Sequence, residues 1–450
     1  MQARPFPYDL DPLGACRGEP GLFPFLLQSA AAGGPQGRFD ILFAHTDPNM
    51  LVLHADGRLT GPHAEEGSSD FLAALDAWWR AEGRPGAGTE LPFSGGWFLY
   101  LGYELAGQIE PRVGYLRDSV LPVAFAVRAP AALVRDHYSR SAVFISEPGT
   151  DPALVRTLER LLSAQVEKTD APVLAAPLSE EDPQRYLDQV QRARRYIYDG
   201  DIFQANLSRR WWAELMPAAD PADIYARLRR SNPAPFAGLA LYDGAAVISS
   251  SPERLVRSAR GRVDARPIAG TRPRGADHER DAALIRELIE NPKERAEHVM
   301  LLDMERNDLG RLAEPGSVQV DELMVVESYT HVHHIVSNVC ARLRADVTPA
   351  QVIRAVFPGG TITGCPKVRC MQIIGELEQA SRGAYTGAMG YLGLDGGMDL
   401  NILIRTLVKT DRRLEFRAGA GIVADSIPER ELEETRAKAR GLARALGGNA

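Results

Sequence analysis

Three charged side chains near the end of the chain have a spacing that could place them side by side. Glu434 and Lys438 follow Glu431 by three and seven residues. In an α-helix this spacing projects all three from one face. Two interpretations follow. The face is simply solvated, with an ion pair between Glu434 and Lys438 worth about 0.2–0.5 kcal/mol, or its carboxylates serve a hard divalent cation, which requires oxygen ligands.

A second glutamate, Glu253, could act as a general acid. It lies in the segment Ser250-Ser-Pro-Glu-Arg254. A carboxylic acid donates a proton near neutral pH only if burial or neighbouring charge raises its pKa. The sequence leaves two interpretations open, a general acid or an ordinary glutamate at the end of a strand.

The run His331-Val-His-His334 contains three histidines, which could ligate a transition metal. Side chains alternate between the two faces of a strand, so His331 and His333 face away from His334. A three-histidine site would therefore need a distorted strand. A lone histidine is more commonly an ordinary core residue.

The cysteines give no sign of a metal site or of a glutaminase. Those at positions 16, 340, 365 and 370 lack the CxxC spacing of a zinc site. Gly14-Ala-Cys-Arg-Gly18 matches the G-x-C-x-G pattern of a nucleophile elbow, which requires a strand before it and a helix after it. It instead follows a Pro/Asp-rich start and precedes Glu-Pro-Gly, so we predict a turn and no glutaminase in this chain.

The overall composition excludes several classes of protein. The 450 residues are 45% hydrophobic, enough for one large core or two ordinary ones, and the formal net charge is −7. This net negative charge gives no sign of a basic surface that would bind nucleic acid. No apolar run reaches the roughly 18 residues of a membrane span, and the first residues lack the features of a signal peptide. We expect a globular cytoplasmic protein that binds neither nucleic acid nor a membrane.

The elements that must position these residues fall into two regions joined by a linker. Residues 1–165 alternate short β-type runs with Gly/Pro turns and two helical stretches, and residues 166–183 have the composition of a linker. Residues 184–446 contain helical and β-type segments. We predict helices at 183–202, 220–230, 277–304 and 428–446, strands that include 238–242, 246–250 and 255–266, and a β-rich stretch at 318–343. Strands grouped in runs favour an α+β fold with largely antiparallel sheets.

Nearly the whole chain, most strongly from Tyr186 to Ala439, resembles the chorismate-utilising enzymes, the family of anthranilate synthase component I and aminodeoxychorismate synthase component I. The motifs occur in the family's order: Gly200-Asp-Ile-Phe-Gln-Ala-Asn-Leu-Ser208, Ser250-Ser-Pro-Glu-Arg254, Arg266-Pro-Ile-Ala-Gly-Thr-Arg-Pro-Arg-Gly275, Glu294-Arg-Ala-Glu-His298, Asp303-Met-Glu-Arg-Asn-Asp-Leu-Gly-Arg311, Phe357-Pro-Gly-Gly-Thr-Ile-Thr-Gly-Cys-Pro-Lys367 and Ala418-Gly-Ala-Gly-Ile-Val-Ala-Asp-Ser426. The resemblance implies two large, mainly antiparallel β-sheets packed as a sandwich with helices outside. It also implies that residues 184–446 form the chorismate-binding catalytic region.

The resemblance also implies a metal site. Glu297 and Glu434 match the Mg²⁺ ligands of the family, and Glu431 matches a residue that lies next to the metal through water. The ring carboxylate of chorismate would complete the site. This agrees with the preference of Mg²⁺ for one or two carboxylates together with substrate oxygens and waters.

The other site residues follow from the same motifs. Glu253 matches the general acid that protonates the departing C4 hydroxyl, and His334 matches a histidine near the ring. Ala269 and Thr271 match further positions of the family's catalytic centre. The residues that match the substrate-binding positions, including those that hold the pyruvyl carboxylate, are Gly270, Tyr385, Arg405, Gly419, Gly421 and Lys438. Gly419 and Gly421 would let main-chain amides approach that carboxylate, although they could also mark a simple bulge.

Position 205 and the lack of a glutaminase indicate how the ring is attacked. Isochorismate and salicylate synthases carry at position 205 a lysine that activates water, whereas this chain has Ala205. Ammonia needs no comparable base when it arrives neutral. We therefore expect a glutamine amidotransferase subunit to supply ammonia in a heterodimer.

The signals for the product disagree. Ala269 is usual for anthranilate synthases, whereas many aminodeoxychorismate synthases carry there a lysine that attacks the ring. Features that favour the aminodeoxychorismate branch are Gln204-Ala-Asn-Leu207, Val332-His-His-Ile335, Gly37-Arg-Phe-Asp-Ile41, Gln28-Ser29 and Pro235-Phe236. We expect 4-amino-4-deoxychorismate for p-aminobenzoate and folate synthesis, formed through noncovalent 2-amino-2-deoxyisochorismate. The alternatives are an anthranilate synthase and a non-catalytic chorismate-binding protein, and a tryptophan-like ligand in the N-terminal half stays open.

Overall fold

Two large antiparallel β-sheets pack face to face, and helices cover their outer faces. A computed structural model describes residues 1–31, 36–46, 49–84, 90–114, 120–163, 171–329 and 332–448. Every strand pair in these ranges is antiparallel. The prediction of an α+β sandwich is therefore confirmed.

The described chain contains 23 strands in two sheets. They are β1 (Gln2–Phe6), β2 (Phe25–Gln28), β3 (Phe39–Ala44), β4 (Met50–Leu53), β5 (Leu59–Thr60), β6 (Gly96–Leu101), β7 (Ala124–Ala129), β8 (Ala131–Asp136), β9 (Ser141–Ser146), β10 (Ser179–Glu180), β11 (Gln204–Glu214), β12 (Phe236–Tyr242), β13 (Ala245–Ser251), β14 (Arg254–Ala259), β15 (Arg262–Ala265), β16 (Ile268–Pro273), β17 (Gln319–Ser328), β18 (Val332–Arg342), β19 (Gly364–Cys365), β20 (Ala388–Gly393), β21 (Met398–Asn401), β22 (Thr406–Thr410) and β23 (Arg413–Ile422). The first sheet has the order β1-β9-β8-β3-β2-β12-β13-β22-β23-β11-β10, with β19 on β11. The second has the order β16-β18-β15-β14-β21-β20-β6-β7-β4-β5, with β17 on β18.

Most helices of the described chain begin at a polar cap or at a proline. The helices are α1 (Leu13–Gly18), α2 (Phe71–Glu82), α3 (Ala106–Ile109), α4 (Ala153–Ser163), α5 (Pro183–Tyr198), α6 (Pro221–Ser231), α7 (His278–Glu290), α8 (Pro292–Gly310), α9 (Pro349–Val356), α10 (Lys367–Glu378) and α11 (Pro428–Ala445). Asp182 and Asp220 cap α5 and α6, each followed by proline at the first helical position. Proline lacks only an N–H that would be unpaired there. None of the helices in these ranges is both long and apolar enough to cross a membrane.

The interior between the sheets is filled by aromatic and aliphatic side chains. Phe25 of the first sheet stacks on Phe98 of the second with ring centroids 4.1 Å apart, and Phe43 meets Phe98 edge-on at 5.6 Å. Burying each such side chain contributes about 1.5–3 kcal/mol. Two further apolar clusters lie under the helices on the outer faces. This packing holds the strands of both sheets at fixed positions around the site.

Two predicted elements are each divided in the structure. The helix predicted at 277–304 is two helices, α7 and α8, because Asn291 has an extended backbone and caps α8 ahead of Pro292. The strand predicted at 255–266 is the hairpin of β14 and β15. Arg260 and Gly261 turn it with φ values of 52° and 75°, as a two-residue hairpin turn requires.

Both predicted regions contribute strands to both sheets. β2 pairs with β12 in the first sheet, and β6 pairs with β20 in the second. Within the predicted linker, β10 pairs with β11. The division into residues 1–165, 166–183 and 184–446 stays a prediction, since the sheets run across it.

The predicted turn at Gly14–Gly18 is wrong, because these residues belong to α1. Helix α1 begins at Leu13, and Cys16 on it is buried, with 1% of its surface exposed. Burial raises the pKa of the Cys16 thiol well above its usual range, which disfavours the reactive thiolate. The segment therefore does not have the geometry or chemistry of a glutaminase nucleophile.

Candidate functional site

One cavity of about 600 Å³ is lined by strands from both sheets and by helices α8 and α11. The strands are β11 and β23 of the first sheet and β16 and β18 of the second. All thirteen site residues predicted from the sequence lie in its wall: Glu253, Ala269, Gly270, Thr271, Glu297, His334, Tyr385, Arg405, Gly419, Gly421, Glu431, Glu434 and Lys438. The fold thus brings together side chains that are up to 185 positions apart in the sequence, while their individual roles stay predictions.

The acidic part of the wall comes from two helices. α8 carries Glu297, and α11 carries Glu431 and Glu434. Burial raises the pKa of Glu297 and of Glu431, and the neighbouring carboxylates add to both effects. Lys293 Nζ lies 3.8 Å from Glu297 Oε1 and opposes the shift only in part. The face of α11 is therefore the rim of a cavity with crowded negative charge, and not merely a solvated helix face.

These carboxylates are the type of ligand that Mg²⁺ prefers. They supply hard oxygen donors, and a cation between them would relieve their mutual repulsion. No three His, Cys, Asp or Glu side chains of the described residues are close enough together to hold a metal by themselves. A site that takes its remaining ligands from substrate and water is consistent with that spacing. The assignment of Glu297, Glu431 and Glu434 to the metal stays a prediction.

Glu253 has the properties of a general acid. It follows β13, is 6% exposed, and its Oε1 atom has no hydrogen-bond partner in the described part of the chain. Burial raises its pKa from 4.5 to about 7, and the nearby Thr361 hydroxyl, Lys438 and Arg405 offset this only in part. A carboxyl group with this pKa keeps its proton near neutral pH and can donate it.

His334 is held as a neutral imidazole. Its Nδ1 atom lies 2.9 Å from Thr271 Oγ1 across the β16–β18 pair. Burial lowers the pKa of His334 to about 3, and the charge of Arg405 contributes. His333 faces the other way, with Nδ1 2.8 Å from Ser328 Oγ and Nε2 2.8 Å from Asp281. The alternation argues against a three-histidine site, although His331 lies outside the described residues.

The cationic part of the wall can bind a carboxylate. Arg405 has φ of 52°, and its guanidinium makes no hydrogen bond or ion pair with the described residues. Burial lowers the pKa of Arg405, a sign that its charge is poorly compensated without a ligand. Lys438 donates to the Gly419 carbonyl at 2.9 Å, and burial raises the pKa of Tyr385 to about 12, so its hydroxyl stays a donor.

Glycine is required at two places in the wall, Gly270 and Gly419. Gly270 has φ of 55°, and the pairing with β18 shifts between Ala269 and Thr271, so the irregularity lies here. The β11–β23 register is unbroken through Gly419 and Gly421, which therefore do not mark a bulge. A Cβ at Gly419 would lie 2.5 Å from the Leu207 carbonyl oxygen.

The sequence interpretation singled out the wrong residue at the start of β11. Because side chains alternate along a strand, Gln204 and Asn206 face the cavity. Ala205 instead packs with Val190 and Ile373 in an apolar cluster outside it. The residue whose type matters at the cavity is therefore Gln204. It is not a lysine either, so the inference against a water-activating lysine is unchanged.

Other polar residues of the wall were missed. Arg272 joins Glu287 at 2.9 Å and Glu294 at 3.1 Å, and Thr361 lies near Glu253. Both residues lie inside motifs quoted from the sequence, and Arg272 is in the same strand as Thr271. Their closeness in sequence to predicted site residues was the signal that could have identified them.

A second cavity, of about 500 Å³, is lined by residues of both parts of the chain, among them Gln28, Ser29 and Arg38 from the N-terminal part and Arg254 and Asp399 from the later part. Asp40 accepts from the Ser29 amide at 2.9 Å and from Gln28 Nε2 at 3.2 Å, which fixes one wall. A tryptophan-like ligand in the N-terminal half of the chain stays a prediction.

Comparisons with known proteins agree with this geometry. The family described as chorismate binding enzyme matches residues 31–444. Aminodeoxychorismate synthase component 1 of Bacillus subtilis (strain 168) is 39% identical over 439 residues, covering 94% of this chain and 91% of the relative. Anthranilate synthase component 1 of Acetivibrio thermocellus is 40% identical over 454 residues, covering 94% and 90%.

A solved structure is similar over the same extent. Anthranilate synthase component I from Streptococcus pneumoniae TIGR4 superposes with a TM-score of 0.79 at 33% identity, covering 90% of this chain and 92% of that one. Relatives with two different products are thus equally similar, so identity alone does not assign the product. The shared family does not depend on that choice, and this chain belongs to the chorismate binding enzymes.

Proposed function

We propose that this protein is an aminodeoxychorismate synthase component I, which converts chorismate and ammonia to 4-amino-4-deoxychorismate for p-aminobenzoate and folate synthesis. The observation that carries this choice is Asn206. Among the sequence features that favour this branch, Asn206 belongs to the wall of the catalytic cavity, whereas His333 is fully buried and bound to Ser328 and Asp281. In this proposal Asn206 acts near the reacting ring.

The residues of the cavity have complementary tasks in this proposal. Arg405, Lys438 and Tyr385 bind the pyruvyl carboxylate by charge-assisted hydrogen bonds. Glu253 protonates the C4 hydroxyl, which leaves as water while ammonia adds at C2. A second ammonia then attacks C4 and expels the C2 amine. The neutral His334 lies near the ring without adding a cation to it.

Mg²⁺ and a partner subunit complete the proposal. Glu297 and Glu434 would hold Mg²⁺, with Glu431 contributing through water, and the ion would neutralise the ring carboxylate of the substrate. A glutamine amidotransferase subunit would supply ammonia. The support for the partner is that α1 does not form the nucleophile elbow suggested by its Gly-x-Cys-x-Gly pattern.

Ala269 favours a second candidate, an anthranilate synthase. Its methyl group lies in the cavity wall with 8% of the residue exposed, where a lysine could reach the ring. Without that lysine, ammonia itself must attack C2 in either enzyme. An anthranilate synthase would then eliminate pyruvate from 2-amino-2-deoxyisochorismate, so the two candidates share one intermediate and differ in its fate.

The test supplies the purified protein with chorismate, Mg²⁺ and an ammonium salt, with and without an aminodeoxychorismate lyase. The proposal predicts that p-aminobenzoate forms only when the lyase is present. Anthranilate as the main product in both reactions would establish the second candidate instead. Binding of chorismate without ammonia-dependent turnover would indicate a non-catalytic protein.

A further inference from the structure

Two buried oxygens in the cavity wall lack a donor. They are Gln204 Oε1 and Asn206 Oδ1, neither of which has a hydrogen-bond partner among the described residues. Gln204 is 8% exposed and Asn206 is 9% exposed. Buried carbonyl oxygens are almost always paired, because an unpaired one forfeits its hydrogen bonds to water. The pair therefore fits a ligand that donates hydrogen bonds.

Hydrogen bonds hold the main chain of Gln204 and Asn206 in place. The Asn206 amide donates to the Thr363 carbonyl at 3.0 Å, and the Asn206 carbonyl accepts from Arg382 at 2.7 Å. The Gln204 carbonyl accepts from the Cys370 thiol at 3.0 Å. The two side chains thus project into the cavity from a backbone that is fixed on both sides.

Two glycines of the neighbouring strand make space for the amide groups themselves. In β23, Gly421 is directly opposite Asn206. A Cβ at Gly421 would lie 2.4 Å from Gln204 Nε2, and a Cβ at Gly419 would lie 2.8 Å from Asn206 Oδ1. Any larger residue at either position would press on these amides.

We propose that Gln204 and Asn206 form the binding site for the ammonia nucleophile, with their side-chain oxygens accepting hydrogen bonds from it. This rests on the proposed function, in which ammonia attacks the ring. Neutral ammonia has three N–H donors and one lone pair. Two donors bind the amide oxygens, and the lone pair stays free to attack C2. An amide is not a general base, so the same pair cannot activate water.

The site also favours the reaction as it proceeds. A C–N bond forms at C2, the ring π electrons shift, and the C4–O bond breaks as the hydroxyl takes the proton of Glu253 and leaves as water. The attacking nitrogen becomes positively charged and then releases one proton, which balances the proton given by Glu253. Hydrogen bonds from a charged nitrogen are stronger than those from neutral ammonia. Both amides therefore stabilise the transition state more than the ground state.

The test uses Gln204→Met and Asn206→Leu, which keep the side-chain size and remove the acceptor. With chorismate saturating, we expect the KM for ammonia to rise about 5- to 10-fold in each variant, as expected for one lost hydrogen bond. The KM and Kd for chorismate should change less than about twofold. Gln189→Met is the matched control, because Gln189 is also buried but donates to the Leu377 carbonyl away from the cavity.

Gln204→Glu is the second variant, since it retains acceptor oxygens in the same shape, and its KM for ammonia should rise less than that of Gln204→Met. An unchanged KM for ammonia in both acceptor-free variants, or a rise confined to the KM for chorismate, would overturn the ammonia site. Anthranilate as product would refute the product assignment while leaving this test intact. Absence of any ammonia-dependent turnover in the unaltered protein would refute both.

Discussion

Lys438 Nζ lies 2.8 Å from Glu434 Oε1 and donates to the Gly419 carbonyl at 2.9 Å. One side chain thus connects the acidic rim of the cavity to β23, next to the proposed site of the pyruvyl carboxylate. The same pair was predictable as an i,i+4 contact on α11. Its position at the cavity means that any change at Glu434 also alters the surroundings of Lys438.

Glu434→Gln and Glu297→Gln should each abolish Mg²⁺-dependent turnover, with a loss of at least about 100-fold, because each removes an anionic oxygen from a site with few protein ligands. The measurement is initial rate against Mg²⁺ concentration. Glu433→Gln is the control, since Glu433 on the same helix is 64% exposed and pairs with Arg436. A Glu434→Gln variant that retains the Mg²⁺ response would remove Glu434 from the metal site.

Arg405→Met should raise the KM for chorismate about 10- to 100-fold, the expected cost of losing a charged hydrogen-bond donor. The variant should melt no lower than the original protein, because desolvation disfavours the charge of Arg405 and Glu253 compensates it only in part. Arg413→Met, on the exposed end of β23, is the control for loss of one arginine. Unchanged chorismate binding would show that the carboxylate binds elsewhere.

Glu253→Gln should lower kcat about 10²- to 10⁴-fold, the usual contribution of a general acid. In the unaltered protein, the acid form of Glu253 is lost as pH rises through about 7. We therefore expect kcat/KM for chorismate, measured at constant free ammonia, to fall above that pH. A rate that stays flat to pH 9 would assign the proton donation to another group.

The same variant should be more stable at alkaline pH. Folding raises the pKa of Glu253 from 4.5 to about 7, so the folded state loses stability relative to the unfolded state as pH rises between these values. The full shift corresponds to about 3 kcal/mol. Glu253→Gln avoids this loss, and urea unfolding should show a gain of up to about 3 kcal/mol at pH 8 and little at pH 4. An equal change at both pH values would contradict the raised pKa.

Ala269→Lys should allow a covalent adduct with the ring. Ala269 packs near Leu301, Met304 and Cys365, so a lysine amine here would be partly desolvated, with a lowered pKa and a nucleophilic neutral form. Incubation with chorismate and Mg²⁺ without ammonia should increase the protein mass by one dehydrated chorismate. Ala269→Met matches the length without the amine and should show no adduct. Equal labelling of both variants would exclude attack from position 269.

The sequence was most informative where helical periodicity or the order of motifs determines which side chains lie on the same face. The spacing of Glu431, Glu434 and Lys438 already places them on one helix face, and the structure adds that this face borders the cavity. Local backbone conformation was harder to predict from the sequence. The division of the long helix at Asn291 and the irregularity at Gly270 depend on backbone geometry that composition does not reveal.

Contacts between distant segments were also inaccessible from the sequence. The unpaired oxygens of Gln204 and Asn206 become evident only when β23 is seen beside β11. Strand alternation alone could have shown that position 204, and not 205, shares a face with 206. It could not have shown which face borders the cavity, because that depends on how both sheets pack.

Pyruvate release tests the central claim most directly. The protein is incubated with chorismate, Mg²⁺ and ammonium salt, and pyruvate is measured against chorismate consumed, with no lyase present. We predict chorismate loss with almost no pyruvate, because 4-amino-4-deoxychorismate retains the pyruvyl group. One pyruvate for each chorismate consumed, together with anthranilate, would contradict the assignment.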